Sequence, residues 1–107
     1  MWKSAYQPFQ KMNIPEIMDL NVLPAFRKQG IGSLLIARAE EEAFKQYNMI
    51  GIGVGLYADY GQALKIYIDR GYKPDGRGVT YNYQMVKPGD NVCLDDDLIL
   101  WFNKKRL

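Results

Sequence analysis

The sequence predicts a mixed α/β domain of the α+β kind, with its elements in the order β-α-β-α-β-β. Three observations predict it: a long apolar pattern at spacings of three and four that begins at Gly30, a short β-branched run from Ile50 to Leu56 directly after it, and a second, shorter helical pattern closed by Gly71. Strands alternating with helices form βα units with parallel pairing, and two further strands at the end read as an antiparallel edge. A chain of 107 residues has the length of one compact domain, so residues 1–107 are read as a single unit.

Residues 1–13 carry no decisive pattern. Glu16 to Val22 (EIMDLNV) reads as a strand that stops at Leu23-Pro24, because proline cannot donate to a ladder. From Gly30 to about Tyr47 the apolar positions Ile31, Leu34, Leu35, Ala39, Ala43 and Tyr47 form one face of a helix, with Glu40, Glu41, Glu42 and Lys45 on the others. Ile50 to Leu56 (IGIGVGL) has the length of a strand, and its glycines 51, 53 and 55 fall on one face because side chains alternate. That bare face admits the close approach of a helix backbone or a ligand, and a packed helix is the favoured reading. Asp59 and Gln62 resemble a capping box for a second helix that runs to Arg70, where Gly71 supplies a left-handed stop. Val79 to Val86 and Leu98 to Phe102 read as two strands joined by a polar loop that holds Lys87-Pro88-Gly89-Asp90 and Asp95-Asp96-Asp97.

The composition narrows the chemistry. Fourteen Lys+Arg against twelve Asp+Glu give a formal charge of +2, without the basic stripe that a nucleic-acid partner requires, and Lys104-Lys105-Arg106 reads as a solvated tail. No apolar stretch reaches the roughly 18 residues of a membrane span, and no signal-peptide pattern opens the chain, so no membrane partner and a cytoplasmic location are expected. The chain has no histidine, the commonest metal ligand and general base, so no metal is expected, and acid–base work falls to carboxylates, Tyr, Lys or water. The single cysteine, Cys93, forms no internal disulfide and reads as inert packing. Asp95-Asp96-Asp97 could attract a cationic amine or a metal, though a charge run in a loop is usually a solvated face.

The informative segment is Arg27-Lys28-Gln29-Gly30-Ile31-Gly32-Ser33, which leads from the first strand into the long helix. Each glycine inside a helix costs about 1 kcal/mol relative to alanine, so two in its opening turns need a reason. The first N–H groups of a helix lack intrahelical acceptors and sit at the positive end of its dipole, and a surface without side chains there suits a phosphate or pyrophosphate. Arg27 and Lys28 add positive charge. The spacing fits neither GxxxxGK[ST] nor GxGxxG. It does fit R-x-x-G-x-G, and in this respect the segment from Leu20 to Gly32 resembles the GNAT superfamily of acetyl-CoA-dependent N-acetyltransferases. Ala63, Tyr67, Gly71 and Tyr72 fall in register with a second pattern of that family, so the resemblance covers about Glu16 to Tyr72.

The resemblance implies acetyl-CoA as cosubstrate and direct transfer of its acetyl group to a primary amine on a small molecule or peptide. It implies that backbone groups of Gln29, Gly30, Ile31, Gly32 and Ser33, flanked by Arg27 and Lys28, hold the pyrophosphate. Leu20, Asn21 and Val22 would pair with the pantetheine arm, and Ala63 would lie against the cofactor. Tyr67 matches the tyrosine that protonates the departing thiolate, and Glu16 stands where some members carry the general base. Beside these roles stand plainer ones: a tyrosine on an apolar helix face is usually a core residue, and Glu16 can be an ordinary strand residue. Tyr60 departs from the family, which usually has asparagine there. A whole family domain begins with strands and helices that the fifteen residues before Glu16 cannot hold, so the chain is expected to be a fragment, or to complete itself as a homodimer along an exposed edge of the Glu16 strand. The same gap sustains two other readings: a catalytically silent CoA-binding or interaction module, and a structural domain with no nucleotide ligand.

Overall fold

The computed structural model of the chain describes residues 2–17 and 29–106. Among the described residues six strands form one mixed sheet: β1 (Trp2–Lys3), β2 (Pro15–Ile17), β3 (Met49–Gly55), β4 (Lys73–Tyr81), β5 (Gln84–Met85) and β6 (Leu98–Lys105), in the spatial order β1-β2-β3-β6-β4-β5. The helices α1 (Gln7–Lys11), α2 (Gln29–Phe44) and α3 (Gly61–Asp69) accompany it, the last entered through a 3-10 turn over Ala58–Tyr60. β2 and β3 are parallel, as the βα order predicts, and β6 inserts antiparallel between β3 and β4. No helix among the described residues is long and apolar enough to cross a membrane.

Alternation along β3 divides the hydrophobic interior in two. Ile50, Ile52 and Val54 face one way and pack with Ile17 and Phe102 against Ile36 and Ala43 of α2 and Ala63, Ile66 and Tyr67 of α3. The glycines face the other way, and aromatic rings from three elements cover them. Phe9 of α1 lies over Gly51, Trp101 of β6 over Gly53 and Tyr60 over Gly55; a Cβ on Gly53 would stand 2.8 Å from the Trp101 ring. The bare face therefore admits side chains rather than a helix backbone. Around Trp101 a second core forms: Tyr6 stacks on it at 4.4 Å, Phe9 meets it edge-on at 5.7 Å, and its Nε1 donates to Thr80 Oγ1 at 2.9 Å.

Several expectations are corrected. The N-terminal residues that lacked a pattern form β1 and α1, and β1 pairs with β2 through Trp2↔Glu16 and Lys3↔Pro15, so that edge of the Glu16 strand is covered by the chain itself. The inward stripe of α2 runs through Ile36, Ala39, Glu40 and Ala43, while Leu34 is 57% exposed. The stripe is set by what α3, β4 and β6 offer it, and a buried glutamate completes it. The side chains of Asp59 and Gln62, expected to form a capping box, lie outside what is described; α3 starts at Gly61 with Tyr60 at the N-cap and no side-chain cap bond from it. Its end is as expected: Gly71 (φ +94°) lets the Gly71 N–H reach Ile68 O and the Tyr72 N–H reach Tyr67 O, a Schellman closure.

The strand read as Val79 to Val86 is two strands. β4 ends at Tyr81, which pairs with Gln84 across the two-residue turn Asn82-Tyr83, both at positive φ. From Pro74↔Phe102 to Val79↔Leu100, five steps along β4 oppose two along β6, so three extra residues bulge outward, with Gly76 and Gly78 at positive φ. β6 continues past Phe102 into the basic run, which is no free tail: Lys104 reaches Glu40, and Arg106 donates to Phe44 O at 2.8 Å. Cys93 is exposed rather than packed.

Glu40 ties the helical layer to the sheet. It accepts from Arg70 at 2.9 Å, from Lys104 Nζ at 3.1 Å and from Tyr72 Oη at 2.9 Å. Burial alone pushes its pKa up, but the Arg70, Lys104 and Tyr72 bonds outweigh that and hold it below the usual glutamate value. With the folded pKa depressed, the stabilisation is present above the unfolded-state pKa and is lost as pH falls through the folded one. Glu40→Ala is expected to cost about 3 kcal/mol in urea unfolding at neutral pH. The difference from the parent should shrink in acid, below the glutamate range. Gly51→Ala, which drives a methyl group into the fully buried Phe9 ring, is expected to lower stability by about 1–3 kcal/mol in the same measurement.

Candidate functional site

The link from α2 to β3, residues 45–48, is too short to let the helix do anything but run back along the strand it precedes. The N-terminus of α2 therefore lies toward the C-terminal end of β3, where the 3-10 turn also launches α3. In open α/β sheets that end of parallel strands is where ligands bind. Gln29, Gly30, Ile31, Gly32 and Ser33 form the opening of α2, a helix of 16 residues. Leu20, Asn21, Val22, Arg27 and Lys28 lie outside the described residues.

Glu16 is a buried carboxylate, 8% exposed, on the glycine face of the sheet opposite Gly51. Ser4 Oγ donates to its Oε1 at 2.6 Å. Burial raises its pKa and the Ser4 bond only partly offsets this, so it holds a proton more tightly than an ordinary glutamate. Tyr67 is 3% exposed and sits in the helical-face core with Ile52, Val54 and Tyr72. Its phenol is raised, first by burial and then by Tyr60, so it is fully protonated at neutral pH. Ala63 belongs to the same core. Because Ile17 packs with Tyr67 and Glu16 points the other way, the sheet separates the two acid–base candidates.

A group the sequence did not bring together closes the C-terminal end of β3. Tyr57 Oη donates to Asp96 Oδ1, Tyr60 Oη donates to the same oxygen at 2.9 Å, and the two rings meet edge-on at 5.0 Å. Asp95 accepts from Tyr81 Oη at 2.8 Å. The acidic run is thus a clasp that pins the β5–β6 loop over the start of α3, and no group of residues suited to a metal ion occurs among the described residues. The Tyr57 and Tyr60 bonds hold Asp96 below the usual aspartate value. Tyr57 and Tyr60 are separated from Asp96 by 39 and 36 residues, so no local pattern could have shown the clasp. Tyr60, noted only as a departure from the expected asparagine, both covers Gly55 and anchors the loop.

The Asp95 bond pushes the Tyr81 phenol up to about 12. Spectrophotometric titration of the tyrosines should show that Asp95→Ala returns one phenol from that range toward the ordinary value of about 10. An unchanged titration curve would remove the bond from this account.

The comparisons with known proteins agree with the fold. No curated protein and no solved structure matches the chain significantly. The family model described as acetyltransferase (GNAT) family matches residues 4–72, more than half of the 107. The match starts twelve residues before Glu16, so it takes in α1 as well as β2, α2, β3 and α3. With a mixed sheet in which β2 and β3 are parallel and β6 returns between β3 and β4, and with that match over most of its elements, the chain belongs to the GNAT family of acetyltransferases.

Proposed function

We propose that the chain transfers the acetyl group of acetyl-CoA to a primary amine by direct attack. The observation that carries the reading is the opening of α2: a sixteen-residue helix begins with Gln29-Gly30-Ile31-Gly32-Ser33 at the C-terminal end of a parallel strand, within the family match. Its first N–H groups suit a pyrophosphate, and side chains at positions 30 and 32 would obstruct the approach. Arg27 and Lys28 supply charge next to that turn in the sequence, and Leu20, Asn21 and Val22 supply main-chain partners for the pantetheine arm.

The neutral amine attacks the thioester carbon, the new C–N bond forms and the C–S bond breaks. The amine proton passes through water to Glu16, and Tyr67 gives its proton to the thiolate. The raised pKa of Glu16 improves it as a base near neutrality, and the raised pKa of Tyr67 keeps the acid form loaded. No covalent enzyme intermediate is needed, so Cys93 takes no part.

One observation favours the rival reading of a silent CoA-binding module: Tyr67 has the burial of a core tyrosine and lies across the sheet from Glu16. Activity separates the two. Calorimetry should show acetyl-CoA binding that Gly30→Glu abolishes. Tyr67→Phe should keep binding and lower thiol release with an amine acceptor about a hundredfold. The rate should fall as pH drops through the Glu16 pKa, with a limb above the ordinary glutamate range that Glu16→Gln removes. Binding without release of the CoA thiol to any amine acceptor would establish the module instead.

A further inference from the structure

On the glycine face, a cleft of about 460 Å³ opens between α1 and the β4–β5 hairpin. That is the size of a small-molecule site. Tyr6, Met12 and Met85 give it apolar walls, and Lys11 and Arg77 stand on it as cations; no acidic side chain lines it among the described residues. Arg77 comes from the β4 bulge and crosses to α1, its Nη2 lying 3.8 Å from Met12 Sδ. Its Nη1 meets Asp75 at 3.2 Å, but the Asp75 carboxylate is fully buried behind it and also accepts from Tyr6 Oη and the Arg77 N–H, while the Arg77 side chain remains 40% exposed. Lys11 has no ion-pair partner among the described residues.

The remaining wall is Tyr83, and its backbone is unusual. It occupies the second position of a two-residue hairpin turn with φ +66°, where glycine is the favoured residue and a bulky side chain is strained. Strain of this kind persists at positions whose side chain is wanted for another reason. The Tyr83 ring lies 6.1 Å from Trp101, which pairs with Gly53, two residues along the same face from the Gly51 that opposes Glu16. Burial raises the Tyr83 phenol, and the Glu16 and Asp97 carboxylates raise it further. Tyr83 thus lines the cleft on the face of the sheet that carries Glu16.

We propose that this cleft is the acceptor subsite and selects small amines that also carry a carboxylate, which Lys11 and Arg77 bind while the amine faces Glu16 and Tyr83 orients the body between them. The inference rests on the acetyl-transfer reading for the role of Glu16, and its recognition part is testable without turnover. Calorimetric titration, with CoA present, compares pairs that differ only in the carboxylate: tyrosine against tyramine and lysine against cadaverine. The acid of at least one pair is expected to bind about tenfold or more tightly, as charge-assisted bonds to two cations allow, and the preference should weaken with salt. Lys11→Gln and Arg77→Gln together should erase the preference. Tyr83→Gly relieves the turn, so it should keep or raise the melting temperature while it weakens binding of both members of the pair.

Equal affinity within both pairs, no binding by any of the four, or a preference that survives loss of both cations would overturn the proposal. So would a loss of affinity in Arg77→Gln for CoA rather than for the acid. A carboxylate preference in binding with no thiol release would instead sink the transferase reading and leave the selectivity of the cleft standing.

Discussion

The constraint on which the rest depends is the absence of side chains on one face of β3. With glycine at 51, 53 and 55, the strand can be approached more closely than any substituted strand allows, and Phe9, Trp101 and Tyr60 lie directly against it. Each ring belongs to a different element, so one bare strand fixes the N-terminal helix, the last strand and the entrance to α3. Aromatic rings carry large apolar areas and favour offset and edge-on contacts, and the Tyr6, Phe9 and Trp101 cluster uses both. A short N-terminal segment that could not form a stable unit alone is held in place this way.

The opposite face is organised by a charge. Glu40 sits among apolar neighbours because three donors converge on it, from the end of α3, the start of β4 and the end of β6. A buried carboxylate without such partners would be strongly destabilising, and with them it specifies how the two helices dock on the sheet. Both cores thus combine shape with a buried carboxylate: Glu16 bonded to Ser4 on the glycine face, Glu40 bonded to three donors on the helical face.

These two layers decide how the site is divided. The opening of α2 and Tyr67 belong to the helical side, whereas Glu16 and the cationic cleft belong to the glycine side. The opening of α2 lies toward the C-terminal end of β3, the strand that runs parallel to β2. The Tyr57–Tyr60–Asp96 clasp borders that end and holds the long β5–β6 loop against it.

The sequence by itself determined what local chemistry decides: the order of the main elements, the parallel pair, the left-handed stop at Gly71, the glycine face of β3 and the family through the Arg27–Ser33 motif and the Ala63–Tyr72 pattern. All of these depend on residues within one element or one turn, where periodicity and backbone preference act. Only the tertiary structure decided the rest. Glu40 reads as a solvent-facing residue until Arg70, Tyr72 and Lys104, up to 64 residues away, arrive around it. The acidic run reads as a solvated loop until Tyr57, Tyr60 and Tyr81 donate to it. The N-terminal residues read as nothing until Phe9 finds Gly51. In each case the deciding energy lies in a contact between distant segments, and a side chain's own neighbours in the chain carry no record of it.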